Sequence, residues 1–262
     1  MRLRPDQDAL DFGAGVGQLL EQQCDAEALR AAWDSADGQV PGLWKRLAEI
    51  GVTGLTVPEE NGGAGMDLTW ALPAAAVSVQ QLPSVDTGVR LATVEWSTKD
   101  AVARIDSQVA ESAYEWAVVA TSAQLVGLAE AMLDMAVRYA LQREQFGKPI
   151  GSFQAIKHQL ADVYVGVAFA RPLVNRAAWS VTRSLPSQAR DASHAKHAAS
   201  VAAGRAARTA LQVHGGIGYT FEHDLHMWLK RTWTLSALWG NAQWHKDREM
   251  RSVLDGECDR VP

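Results

Sequence analysis

The sequence predicts a mainly helical protein: a carboxy-terminal four-helix bundle, an amino-terminal helical region and a shortened β segment between them. Three observations predict it. Apolar residues recur at steps of three and four through most of residues 108–256. Period-two alternation is confined to about 66–100, and glycine or proline clusters separate the periodic runs. With 262 residues, 47% of them hydrophobic and 21% charged, the chain can bury a core and is neither disordered nor fibrous in composition.

Residues 5–50 read as helical from Leu10, Val16, Leu19 and Leu20, then Leu43, Leu47 and Ile50. The stretch GVTGLTVPEENGGAG at 51–65 ends that region. Beyond it, Val89, Leu91, Thr93 and Glu95 alternate with Arg90, Ala92, Val94 and Trp96, the pattern of one or two strands. Two strands make a marginal sheet alone, so this segment is either an appendage on the helices or what remains of a larger β-domain. Four long helices are expected near 112–145, 152–184, 188–213 and 222–256. In the first, Leu125, Leu128, Met132, Ala136 and Tyr139 share a face. In the second, Phe153, Ile156, Leu160, Val163, Val167, Ala170 and Val174 form an unbroken stripe of the kind bundle helices bury against one another. Ser152 is placed to cap that helix, and Pro186 and Gly215-Gly216 mark reversals.

Charge and cysteine content narrow the function. Lys+Arg 25 against Asp+Glu 30 leaves a net charge of −5, which argues against general nucleic-acid binding or a polybasic membrane role. Cys24 and Cys258 offer neither a disulfide framework nor a cysteine metal site. MRLRPDQDAL lacks an apolar signal core, and a cytoplasmic location is expected. Trp116–Val137 is the richest apolar stretch, but Gln124, Glu130 and Asp134 interrupt it, which argues against a membrane span.

Several motifs invite chemistry and are better read plainly. His194/His197 and His223/His226 are each three apart, yet only Asp191-x-x-His194 resembles a di-iron pair, so no metal site is expected. Gly62, Gly63 and Gly65 follow Glu59 and Glu60 and lack a P-loop lysine, so they read as a turn. Trp228, Trp233, Trp239 and Trp244 read as core and interface packing. The stretch ALQREQFGKPIGSFQAIKHQLAD at 140–162 is different. Arg143, at a helix end before Phe146-Gly147, can grip a phosphate while the ring lies against a planar base. QVHGGIGY at 212–219 adds glycines that let a ligand approach the backbone.

Three passages resemble the acyl-CoA dehydrogenase family of flavoproteins: LAEIGVTGLTVPEENGGAG (47–65), RYALQREQFGKPIGSFQAIKHQLADV (138–163) and ALQVHGGIGYTFEHDLHMWLKR (210–231). The last looks most like actinobacterial members acting on bulky, often steroid-derived CoA thioesters. The resemblance implies an amino-terminal helical domain at 1–65, a remnant of the central β-domain at 66–107 and the four-helix bundle at 108–262. It implies α,β-dehydrogenation of an acyl-CoA with FAD as hydride acceptor and an electron-transfer acceptor downstream. The FAD lies across a subunit interface in this family. By motif, its adenosine-pyrophosphate end would meet Arg143, Phe146 and Gln154, together with Gln212, Gly215 and Gly216; Gln243 matches a position near the flavin.

The departures matter as much. The family's catalytic base sits in one of two places, which here hold Trp239 and Ala117, and neither side chain can take a proton at neutral pH. Glu115 is two residues from the second place, roughly 200° round the helix. The strands that normally cover the flavin ring have no counterpart between Gly65 and Gln80. The expectation is therefore a chain that contributes flavin binding to a heterotetramer while a sister acyl-CoA dehydrogenase subunit supplies the base. A self-sufficient enzyme using Glu115 or another carboxylate, and a flavin-free scaffold or regulatory relative, stay open beside it.

Overall fold

The structure is a computed structural model that describes residues 7–35, 39–49, 78–89, 91–95 and 107–254. The break at 51–65, with Gly62, Gly63 and Gly65, most of the 66–107 segment and Cys258 lie outside the described residues. The chain divides into two compact units, Met1–Asp106 and Ser107–Pro262.

In the first unit the expected helical region is three helices: α1 (Gln7–Gln23), α2 (Ala26–Asp34) and α3 (Leu43–Glu49). Asp25 starts α2 by accepting the Ala28 amide at 2.8 Å, an N-cap that satisfies one free donor of the first turn. Gly42, with φ 74°, precedes α3. Two strands follow, β1 (Ser78–Leu82) and β2 (Leu91–Glu95), antiparallel with Gln80 opposite Thr93. Asp86 is buried in the turn between them and accepts from the Gly88 amide at 3.1 Å.

The second unit is a helical bundle: α4 (Ser107–Gln142), α5 (Gln154–Thr182), α6 (Gln188–His214), α7 (Leu225–Ala237) and α8 (Ala242–Leu254). The fourth expected helix, 222–256, is thus two helices. They break at Trp239 (φ 60°) and Gly240 (φ 101°), because a left-handed pair cannot continue a right-handed helix. Between α4 and α5 runs a hairpin of two-residue strands, β3 (Glu144–Gln145) and β4 (Lys148–Pro149). It turns at Phe146 (φ 54°) and Gly147 (φ 77°), the positive pair a tight twisted hairpin requires. Ser152 is not the expected cap: it lies in a 3-10 turn, Ile150–Ser152, and α5 begins after Phe153 with no side-chain cap.

The expected stripes do face the core. Leu125, Met132 and Ala136 on α4, and Val163, Val167, Ala170 and Val174 on α5, are buried. They meet across α6, whose Ala192, Ala195, Ala199, Ala203, Ala206, Ala207 and Ala210 are almost fully covered. Gly166 of α5 sits where an added Cβ would be 3.8 Å from the Ala202 methyl, so the two backbones run close. By length and composition alone Ala110–Gln142 is apolar enough to cross a membrane, a test that the core helix of a bundle also passes. Half of its most apolar window is covered by the bundle, and Gln124 and Asp134 lie on its exposed side.

One charge interrupts the alanine face. Lys196 is fully buried, and its ammonium donates to the carbonyls of Ser236 (3.2 Å) and Gly240 (3.0 Å) at the end of α7. A cation there satisfies carbonyls that have no intrahelical partner. Burial pushes its pKa down from 10.5 to about 8. Below pH 8 both folded and unfolded chains are protonated and the fold carries the full penalty of the buried charge; between 8 and 10.5 the unfolded chain holds the extra proton, so stability rises with pH. Denaturant melts should therefore show a gain on the order of 3 kcal/mol across that window relative to Lys196→Met, which removes the titrating group. Parallel pH profiles for the two proteins would contradict this.

Candidate functional site

Chemistry-bearing residues gather at the two ends of the bundle. The first end is where α4 and α6 finish. The Tyr139 and His214 rings stack there with centroids 4.5 Å apart, which brings the α4–β3 junction beside the Gly215–Tyr219 turn. Six of the seven expected flavin-contacting residues belong to this end. Arg143 is exposed and its backbone is fixed, its amide donating to the Tyr139 carbonyl and its carbonyl accepting from the Ile150 amide, each at 2.8 Å. Phe146 is 92% exposed, with Phe153 edge-on to its ring at 6.2 Å. Gln154 opens α5 and Gln212 lies on the outer side of α6, both exposed. Gly215 ends α6 at φ 62°, and its amide donates to Leu211. Nothing lies within 4 Å of where a Cβ would sit on Gly215 or Gly216.

The arrangement suits a planar group joined to phosphates: a guanidinium, an uncovered ring, two amide side chains and an accessible backbone at one end. An open pocket of about 310 Å³ adjoins it, lined by Arg138, Tyr139, Gln142, His214, Glu222 and His223. His214 donates from Nδ1 to the Ala210 carbonyl at 2.7 Å, and burial lowers its pKa, so the ring is neutral.

Gln243 is not with the other six. It opens α8, where His197 donates to the Ala242 carbonyl (2.9 Å) and Arg248 reaches the Ala189 carbonyl at the start of α6. This second end packs on Tyr114 and Glu115 in the early turns of α4. At 1.5 Å per residue along α4, the two ends are on the order of 35 Å apart.

At the second end lie both expected base positions. Ala117 is half-buried and inert. The Trp239 indole is 45% exposed, and its carbonyl accepts from the Tyr114 hydroxyl (2.5 Å) and from His245 Nε2 (3.0 Å). Holding a tryptophan at positive φ costs roughly 1 kcal/mol or more, so surrounding contacts must impose it. Glu115 is buried, and Arg248 binds its Oε1 at 3.3 Å; its Oε2 has no hydrogen-bond partner among the described residues. Burial raises the Glu115 pKa while Arg248 pulls it back.

A directional chain runs through this end. Arg248 donates to Ser193 Oγ (3.2 Å), Ser193 donates to His245 Nδ1 (3.2 Å), and His245 Nε2 donates to Trp239. That order requires neutral His245, and burial lowers its pKa to about 4. Tyr114, Ser193, Lys196, His245 and Arg248 were not singled out from the sequence. Lys196 had a signal: it stands on the same helix face as Ala192, Ala195 and Ala199, where a charge has no solvent to meet.

The paired histidines turn to other work. Asp191 binds Arg176 at 2.9 Å, His194 faces Glu249 at 3.3 Å, and His223 accepts the Leu225 amide at 3.1 Å. No group of three or more possible metal ligands occurs among the described residues. Of the four clustered tryptophans, Trp228 packs on the core, while Trp233, Trp239 and Trp244 are exposed.

Comparison with known proteins assigns the family. The acyl-CoA dehydrogenase C-terminal domain matches residues 108–254 and the acyl-CoA dehydrogenase N-terminal domain matches 7–106. Acyl-CoA dehydrogenase IpdE2 of Mycolicibacterium smegmatis is 30% identical, the match covering 86% of this chain and 92% of the relative. The ChsE4-ChsE5 complex from Mycobacterium tuberculosis has a chain of the same fold, with a TM-score of 0.86 over 97% of this chain and 99% of that one at 20% identity. Glutaryl-coenzyme A dehydrogenase matches 69% of this chain and 48% of its own at TM-score 0.61 and 25% identity. A base-bearing loop occupied by tryptophan notwithstanding, the chain belongs to the acyl-CoA dehydrogenase family.

Proposed function

We propose that the chain is one subunit of a heteromeric, FAD-dependent acyl-CoA dehydrogenase, and that it holds the adenosine-pyrophosphate end of the flavin while a sister chain supplies the base and the thioester pocket. One observation supports this reading: the expected base positions hold Trp239 and Ala117, while Arg143, Phe146, Gln154, Gln212, Gly215 and Gly216 lie at the other end of the bundle, most of them exposed. In such an assembly the bound FAD supplies the hydride acceptor. Arg143 would pair with its pyrophosphate, Phe146 would lie against its adenine, and Gln154 and Gln212 would bond its polar edge. The open backbone at Gly215-Gly216 lets the group come close. Gln243, at the far end, would face a different flavin from the one those six hold.

Further support comes from the surface and from relatives. On α5, Tyr164, Val165 and Phe169 are 65%, 50% and 72% exposed, an apolar outer face that a partner chain would cover. The ChsE4-ChsE5 structure is a complex, and a second structure of the same fold, with TM-score 0.86, is the Tcur3481-Tcur3483 steroid ACAD. A bulky, steroid-derived acyl-CoA is the substrate class this favours, with turnover in the cytoplasm and an electron-transfer acceptor receiving the electrons.

Co-expression with a candidate sister acyl-CoA dehydrogenase should yield a yellow heteromer that oxidises acyl-CoA, whereas the chain alone turns over nothing. Arg143→Ala should loosen flavin in that heteromer by about 10- to 100-fold, the worth of a charge-assisted hydrogen bond. Glu115→Gln should leave turnover within about two-fold; a thousand-fold loss would return the base to this chain. A colourless complex with unaltered assembly would instead favour the flavin-free scaffold. Phe169→Glu on α5 should weaken assembly at least ten-fold by sedimentation while leaving far-UV circular dichroism unchanged, since the residue touches solvent in the isolated chain.

A further inference from the structure

The turn between α7 and α8 holds a contradiction that flavin binding does not explain. Trp239 adopts a left-handed backbone that disfavours tryptophan, and beside it Gly240 stands at φ 101° with its missing Cβ 2.8 Å from the Trp244 ring. Three separate elements hold this turn. From α4, Tyr114 donates to the Trp239 carbonyl; from α8, His245 donates to the same oxygen; from α6, Lys196 donates to Gly240 and to Ser236. Among the described residues the Lys196 ammonium has no carboxylate partner within salt-bridge distance, and those two carbonyls are what offsets its burial.

Above the network the rings of Trp239 and Trp244 stand edge-on to Tyr114 at 6.2 and 6.3 Å, and the Arg248 guanidinium lies 5.6 Å from Tyr114 and 5.7 Å from Trp244. Behind them are the buried Glu115–Arg248 pair and Ser193. The two tryptophans, 45% and 42% exposed, therefore form an outer cover over a largely buried polar cluster.

We propose that Lys196 is a latch: its two hydrogen bonds hold the Leu238–Asn241 turn closed in its strained form, and releasing them lets the turn and its aromatic cover open as a unit while the rest of the bundle stays folded. The latch is bought with global stability, because a buried lysine costs more than an apolar residue of its size. The two effects therefore have opposite signs and can be separated. This inference concerns the chain by itself and stands whether or not the protein binds flavin.

The test is hydrogen exchange by mass spectrometry on the full-length chain, comparing wild type with Lys196→Met. Amides around the turn, including those of Leu238, Trp244 and His245, which are bonded in the closed form, should exchange at least ten-fold faster in the variant. Peptides from the middle of α5 should be unchanged, and the midpoint of thermal unfolding at pH 7 should hold or rise. Should Lys196→Met not fold, Lys196→Leu decides: it also removes both hydrogen bonds, and it too should speed exchange there alone. Turn amides unchanged within two-fold, or α5 peptides accelerated equally with the turn, would overturn the latch and leave Lys196 as an ordinary member of the core.

Discussion

The close approach of α4 and α5 to α6 is the constraint everything else in the bundle depends on. It is possible because α6 presents a run of alanines where larger side chains would hold the neighbours away, and Gly166 extends the same economy to α5. A helix clamped on that much of its surface is a rigid ruler. Ser193, Lys196 and His197 are fixed near its start, and Gln212, His214 and Gly215 near its end. The positions of both polar ends follow from one packing decision, made by residues that carry no chemistry themselves.

The two ends then diverge in what they do with their donors. At the Arg143 end the polar side chains point outward, the glycine backbone is uncovered and Phe146 stands almost wholly in solvent. At the Trp239 end the strong donors are already committed: Lys196 and His245 to carbonyls, Arg248 to Ser193 and Glu115. An anionic ligand needs donors that are reachable, and the exposed Arg143 and uncovered Gly215-Gly216 backbone at the first end meet that need. Proton abstraction needs an acceptor that is unpaired and aimed outward. Glu115 has one oxygen paired with Arg248 and the other unpaired but buried, so it is not aimed outward.

The periodic part of this architecture was legible in the sequence because helix–helix burial writes itself at steps of three and four. Leu125, Met132 and Val167 point inward as their spacing demands. The break between α7 and α8 had a local signal that the apolar spacing masked: Gly240 ends one helix and Asn241 caps the next by accepting the Trp244 amide at 2.9 Å, while Tyr114 and Lys196 hold the turn from α4 and α6. Local propensity marks the stop but carries no trace of the contacts that fix the turn's strained form. Ser152 failed as a cap for a related reason, since the β3–β4 hairpin and its following 3-10 turn deliver the chain to α5 one residue later. The residues expected to meet a flavin were legible only through family wording. Arg143 and Gly215 are distant in sequence, and their meeting depends on α4 and α6 ending side by side, as the Tyr139–His214 stack shows.

Backbone strain gives the last clue to where this chain meets other molecules. Among the described residues, three non-glycines adopt positive φ: Phe146, Ser184 and Trp239. Ser184 is a small residue in the turn after α5, where a left-handed conformation is unexceptional. The other two are aromatic, sit at opposite ends of the bundle, and leave their rings 92% and 45% exposed. Within the chain an exposed ring gains little burial, and glycine or asparagine would satisfy either turn with less strain. Neither aromatic is explained by the stability of the fold that holds it. Each turn instead displays its ring: Phe146 beside the exposed Arg143 and the uncovered backbone of Gly215-Gly216, and Trp239 over a network whose Lys196 and His245 donors are already bonded to carbonyls.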